Sequence, residues 1–288
     1  MSDLRPRRSV LYMPAANERA LDKAKGIPAD ALIFDLEDAV APDAKPDARR
    51  NAVAAALSGE YGNKEITIRC NGLDTQWGHE DLAAAAMANV SAVVIPKINS
   101  VKEVEAVSSA LASAGAPGSM KIWAMIETPT AIFDVRQIAA HPRVQTLVMG
   151  TNDLAKELRA TQVRGRAPLT PHLATALLAA REAGKVILDG VFNDVKDLDA
   201  FRDECVQGAH MGFDGKTLIH PSQVEIANDV WAPSADEVDY AQRVIAAFEE
   251  ATAEGRGVIT VDGRMIENLH VDNARRVLAV QAAIESLS

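Results

Sequence analysis

The sequence predicts an α/β protein, a (β/α)8 TIM barrel with a C-terminal helical extension. Three observations carry that prediction. Eight short apolar runs alternate with Ala-rich amphipathic stretches. The runs are continuous rather than alternating, so both faces of each strand should be buried, as in a parallel sheet. No glycine-rich fingerprint follows the first run, which favours the barrel over a doubly wound open sheet. The 288 residues accommodate one barrel of about 250 residues and a tail.

The strands are expected at residues 9–13 (stopped by Pro14), 31–34, 66–69, 92–95 (stopped by Pro96), 121–126, 146–149, 186–188 and 209–213. The helices between them are expected at 17–25, 44–58, 78–87, 100–114, 130–139, 171–183 and 195–204. Asn17, Ser100 and Thr170 (before Pro171) read as N-caps. After Trp231 the pattern changes. A long helix is expected over 236–255 behind Ser234, then a hairpin over 257–266 around Asp262-Gly263, then a helix over 271–287. The domain reading is a catalytic barrel over 1–232 and an extension over 233–288, acting as a lid or an oligomer arm.

Composition narrows the function. Hydrophobic residues are 48% and charged residues 24%, ordinary for a globular chain. Thirty basic against forty acidic side chains give −10, and aromatics are only 4%, so nucleic acid is a poor partner. No apolar run reaches the roughly 18 residues of a membrane span, and the basic N-terminus lacks a signal-peptide core. Cys70 and Cys205 read as free thiols. The expectation is a cytoplasmic protein with no membrane partner.

A barrel builds its active site where the strands end. The second run ends in Asp35-Leu36-Glu37-Asp38, the third in Arg69-Cys70-Asn71-Gly72 and the fourth in Pro96-Lys97. The fifth ends in Glu127-Thr128-Pro129, the sixth in Gly150-Thr151-Asn152-Asp153 and the eighth in Asp214-Gly215-Lys216. Crowded carboxylates repel unless a cation binds or some protonate. Oxygen ligands without a Cys/His cluster suit Mg²⁺, and Glu127 and Asp153, on adjacent strands, are the candidate pair. Arg69 offers a planar fork to a carboxylate or an enolate oxygen. Three other motifs fail. His79-Glu80 lacks the second His of HExxH, no GxSxG is present, and the P-loop-like Gly215-Lys216-Thr217 has His210 where the first glycine belongs.

These stretches resemble the citrate lyase β-subunit-like (CitE-like) group of the HpcH/HpaI aldolase superfamily. The resemblance rests on Arg8-Ser9-Val10-Leu11-Tyr12-Met13-Pro14-Ala15, Phe34-Asp35-Leu36-Glu37-Asp38-Ala39-Val40, Ile68-Arg69-Cys70-Asn71 and Pro96-Lys97. It continues through Ile126-Glu127-Thr128-Pro129, Gly150-Thr151-Asn152-Asp153-Leu154 and residues 212–221, in family order. It implies Mg²⁺-dependent, reversible cleavage of malyl-, methylmalyl- or citramalyl-CoA to an acyl-CoA and a 2-oxoacid. By residue it implies Glu127 and Asp153 as metal ligands, Arg69 as the oxyanion-binding cation, and Glu37 and Asp38 as holders of metal-bound water. Peptide N–H groups around Gly150 and Thr151 would hold the oxoacid carboxylate, with Asn152 and Pro14 also at the substrate. It further implies a homotrimer or hexamer in which an acid of a Gly-x-Met-Ile-Asp motif reaches a neighbouring subunit. Here the segment is Gly263-Arg264-Met265-Ile266-Glu267, so Glu267 stands one methylene longer than the family's Asp. The alternatives are a malyl-CoA thioester hydrolase, a free-acid aldolase with Lys97 as a Schiff base, and a non-catalytic or CoA-binding subunit of a citrate-lyase-like complex. Arg7, Arg8 and Lys25 are candidate contacts for the CoA diphosphate.

Overall fold

The computed structural model describes residues 4–253 and 259–287. Eight parallel strands close into a barrel in sequence order: β1 (Ser9–Pro14), β2 (Ala31–Asp35), β3 (Glu65–Arg69), β4 (Ala92–Ile95), β5 (Lys121–Ile126), β6 (Val144–Met149), β7 (Val186–Asp189) and β8 (Gly215–Leu218). The ring closes where Ser9–Leu11 of β1 pair with Lys216–Leu218 of β8. Val10, Ile33, Val94, Trp123, Val148 and Leu188 meet in its buried interior. The reading therefore holds for the fold and for the first seven runs.

The helices follow from local signals. Asn17 accepts the Ala20 N–H at the start of α1 (Glu18–Ala24), and Ser100 accepts the Glu103 N–H at α4 (Val101–Ser113). Thr128 caps α5 (Pro129–Ala140), with Pro129 at the first helical position. Between them lie α2 (Lys45–Leu57) and α3 (Gly78–Met87). A short helix, α6 (Thr151–Glu157), starts directly at the end of β6, where the sequence showed only a strand end. The cap of α7 (Thr170–Glu182) is a correction: Leu169 takes that position, and the Thr170 hydroxyl donates back to the Arg166 carbonyl.

The eighth strand is the main correction. Residues 209–211 are the last turn of α8 (Leu198–Met211), which ends at Gly212 in the left-handed region, φ 105°. Only Phe213, just past the helix end, is buried, while Ala209 and Met211 are partly covered and His210 is exposed; over five residues the pattern does not tell strand from helix. The strand begins at Gly215, whose added Cβ would fall 1.8 Å from the Arg7 carbonyl oxygen. Asp214 therefore lies before the strand, not at its mouth, and bonds Arg181 and the Ile187 N–H. Lys216 alternates with the interior-facing Thr217, so it points out of the barrel toward the helix layer, fully buried, onto Asp189 and Glu204 at 2.9 and 2.8 Å.

Residues Arg7–Val230 form one compact unit, closed by α9 (Val224–Val230). Trp231 onward, with the described residues before Arg7, forms a second. It contains α10 (Ala235–Ala253), the antiparallel hairpin β9 (Ile259–Val261) and β10 (Arg264–Ile266), and α11 (Asn268–Glu285). Ser234 and Glu237 bond reciprocally at the start of α10. Asp262 and Gly263 turn the hairpin with φ of 49° and 76°, the geometry that favours this pair. Ala241, Val244, Ile266 and Val271 give the unit its own core. Residues 254–255 of the expected helix and 257–258 of the expected hairpin lie outside the described residues.

Candidate active site

The barrel mouth is assembled by register. Asp35 pairs with Arg69 across β2 and β3, and Pro14 pairs with Asp35 across β1 and β2. Arg69 Nε and Nη2 each donate to an Asp35 carboxylate oxygen at 2.6 Å. Its third nitrogen, Nη1, meets Glu37 Oε2 at 2.7 Å and Asp38 at 3.9 Å. The guanidinium lies over the Tyr12 ring, 4.8 Å from its centroid. Burial works against the Arg69 charge, but the Asp35 hydrogen bonds outweigh it and hold the group firmly protonated.

Asp35 also accepts the N–H groups of Glu37 and Ala39 at 2.9 and 3.2 Å. With four hydrogen bonds it is saturated, so its role is to aim Arg69. The Asp38 side chain is exposed, whereas Glu37 is mostly covered. Burial, then the Asp38 and Asp35 charges against the pull of Arg69, raises the Glu37 carboxyl above the ordinary range.

On the opposite strands, Glu127 is buried and accepts the Lys97 N–H at 2.7 Å. Gly150 closes over it: a Cβ there would fall 2.3 Å from both Glu127 Cβ and Oε2. Burial, together with the charges of Asp153 and Glu37, pushes the Glu127 carboxyl up to about 7 despite Lys97. Asp153 sits in the first turn of α6. Glu127, Glu37, Asp35 and Arg69 all lie near enough to Tyr12 to act on it electrostatically, so the two halves stand within electrostatic reach of one another. Among the described residues no group of three or more His, Cys, Asp or Glu is arranged to hold a metal. Two carboxylates with the remaining positions open is the donor set that Mg²⁺ accepts, completing its octahedron with water and substrate oxygens. A buried carboxyl raised by a neighbouring acid is also the electrostatic debt that a cation relieves. The residues fit the ion.

Lys97 takes φ 51°, and its backbone rather than its ammonium holds Glu127. Burial lowers its pKa, but Asp153, Glu127, Glu37 and Asp38 outweigh that and raise it. A lysine kept protonated is a poor Schiff-base nucleophile.

The other expected residues divide. The Gly150 N–H is committed to the Ile126 carbonyl at 3.1 Å. The Thr151 side chain faces Gly190, whose added Cβ would fall 2.3 Å from Thr151 Oγ1. Asn152 exchanges hydrogen bonds with Asn193 at 3.0 and 2.7 Å and accepts one from Gln162 at 3.3 Å. These three amides line a cavity of about 660 Å³. Glu267 belongs to the C-terminal unit, where its N–H donates to His270 Nδ1 at 3.2 Å. Arg7 and Arg8 precede β1, so they lie at the far end of the barrel, on Glu65 and Asp30 at 2.6 and 2.8 Å. Lys25 is on Asp22 and Glu60. The expected diphosphate contacts at Arg7 and Arg8 are therefore corrected: both are held on acid partners, Arg7 buried and Arg8 mostly covered, and sit before a strand rather than after it, whereas the Lys25 pairs are surface pairs. Sequence reasoning missed Tyr12, although strand periodicity puts it on the inner face with Val10. It also missed Lys45, for which no local signal exists.

The HpcH/HpaI aldolase/citrate lyase family pattern matches residues 8–221. The chain belongs to this family. Within and around the HpcH/HpaI family, it is 50% identical over 279 residues to (3S)-malyl-CoA thioesterase of Cereibacter sphaeroides, covering 97% of this chain and 96% of that one. It is 36% identical over 281 residues to citrate lyase subunit beta of Escherichia coli K12, covering 96% and 93%. Among solved structures it superposes on protein CitE of Mycobacterium tuberculosis, in complex with magnesium, acetoacetate and coenzyme A, with a TM-score of 0.80 and 28% identity over 97% of this chain and 100% of that one. Among the described residues no helix is long and apolar enough to cross a membrane.

Proposed function

We propose that the barrel mouth processes a malyl-type CoA thioester with Mg²⁺, by the carbon–carbon cleavage chemistry of its family or by thioester hydrolysis. The observation that carries the reading is the pairing of a raised, metal-ready Glu127, within electrostatic reach of Asp153, with an Arg69 preset on Asp35 at the same end of the barrel. Glu127 and Asp153 would hold Mg²⁺, which when bound supplies charge to polarise substrate oxygens. Arg69 takes up negative charge developing on a carbonyl oxygen, whether an enolate or a tetrahedral centre. Glu37, fixed on Arg69, orients water. Glu267 is the candidate acid of the C-terminal unit, contributed by a neighbouring subunit of a trimer or hexamer. The setting is cytoplasmic.

Cleavage gives acetyl- or propionyl-CoA and glyoxylate or pyruvate. Hydrolysis gives the free hydroxyacid and CoA. The 50% identity to the Cereibacter thioesterase favours hydrolysis as the net reaction on (3S)-malyl-CoA; the 36% identity to citrate lyase subunit beta favours cleavage. The longer acid at Glu267 also favours hydrolysis, because about an ångström of displacement costs a carbon-directed proton transfer on the order of 100-fold. The test is purified protein with malyl-, methylmalyl- and citramalyl-CoA, each with Mg²⁺ or EDTA, and products identified by mass. Free malate plus CoA supports hydrolysis, and acetyl-CoA plus glyoxylate supports cleavage. Turnover undiminished in EDTA removes the metal, and no turnover by the lone chain favours the subunit reading.

A further inference from the structure

The turn that carries Glu37 has little structure of its own. It leaves β2 at Asp35 and reaches α2 only at Lys45, through a 3-10 turn, Pro42–Ala44. The Asp35 carboxylate holds its N–H groups, Val40 donates to the Glu37 carbonyl, and a side chain from the far end grips its carbonyls. Lys45, 5% exposed, donates from Nζ to the Leu36 carbonyl at 2.8 Å, the Glu37 carbonyl at 2.9 Å and Asn71 Oδ1 at 2.9 Å. Those three acceptors use all three protons of one ammonium. Its position over the Trp77 ring, 4.9 Å from the centroid, covers it further.

The clamp is itself anchored. Asn71 Nδ2 donates to the same Leu36 carbonyl at 2.9 Å and to Asp81 Oδ2 at 2.6 Å. Asp81, fully buried, also accepts the Asn71 N–H at 2.9 Å and Arg49 Nε at 2.8 Å. A continuous chain of contacts thus runs from α3 through the end of β3 to the Glu37 backbone. The Arg69–Asp35 fork does not depend on it, because strand register sets those two residues side by side.

We propose that Lys45 is a positioning residue for Glu37: by gripping the Leu36 and Glu37 carbonyls it holds the turn in the conformation that sets the Glu37 carboxylate on Arg69. The inference rests on the proposed use of Glu37 at the site. An apolar replacement takes one of two donors from each carbonyl, which keep Asn71 Nδ2 and the Val40 N–H, and leaves buried Asn71 Oδ1 with none, so the turn loosens. Glu37 then leaves Arg69, while Arg69 stays on Asp35.

The test is a double-mutant cycle of Lys45→Met and Glu37→Gln, assayed with (3S)-malyl-CoA and Mg²⁺ and paired with hydrogen exchange on the Glu37 and Ala39 amides, which bond Asp35 in the intact turn. Each single variant should lower kcat by about 10- to 100-fold with KM little changed, as supporting contacts of catalytic groups do. The double variant should be no worse than the weaker single, because both remove the same interaction. Exchange at Glu37 and Ala39 should quicken in Lys45→Met while the β3 amides stay protected. A wild-type kcat in Lys45→Met, or losses that multiply in the double variant, overturns the proposal. If the parent protein turns over no thioester, the functional reading fails, and exchange alone decides: unchanged protection at Glu37 overturns the Lys45 role. Should Lys45→Met not fold, Lys45→Gln replaces it under the same criteria.

Discussion

Arg69 stands in the barrel mouth forked onto Asp35, both hydrogen bonds at 2.6 Å, so the cation is aimed before any substrate arrives. Lysine keeps the charge but not the planar fork. Arg69→Lys should therefore lose about 10²- to 10³-fold in kcat. Arg69→Ala leaves Asp35 buried without its partner and should cost about 3–5 kcal/mol in urea unfolding. A fully active Arg69→Lys would remove Arg69 from the chemistry.

Glu127 makes metal binding depend on pH. Its carboxyl is raised to about 7, mainly by burial, so the folded protein binds a proton there that the unfolded chain has released. For the metal-free protein that contribution to stability is fully present below the ordinary carboxyl range. It is lost as pH rises toward 7. Mg²⁺ needs the carboxylate, so its affinity should climb with pH up to about 7, by at most about tenfold per unit, then level off. The thermal shift produced by Mg²⁺ should be larger at pH 8 than at pH 6. A shift that does not change with pH contradicts the assignment.

Gly150 is required by space. In Gly150→Ala the methyl would sit 2.3 Å from Glu127, so the carboxyl has to move. The expected result is a folded protein, destabilised by about 1–3 kcal/mol, whose melting temperature no longer responds to Mg²⁺. An unchanged Mg²⁺ response in calorimetry would place the metal elsewhere.

Lys97 lies among four acids that keep it charged. Borohydride reduction in the presence of pyruvate should leave the chain's mass unchanged. A stable adduct on Lys97 would revive the free-acid aldolase route.

The chain alone carried the order of strands and helices, most caps, and the rim acids, because these depend on local pattern and on one topological rule: residues just after a strand reach the mouth. The placement of Glu127, Asp153 and Arg69 at the strand ends was legible in that way. The eighth strand was not, since an apolar run of five residues fits the end of a helix as well as a strand, and the left-handed Gly212 decided it. Nor were the partnerships. That Asp35 aims Arg69, that Lys45 grips a turn eight and nine residues upstream, that Gly150 leaves room for Glu127, and that Arg7 and Arg8 are spent at the opposite end all arise from strand register and close packing. Such contacts join residues distant along the chain, and no local preference encodes them; only the closed barrel brings them within hydrogen-bonding reach.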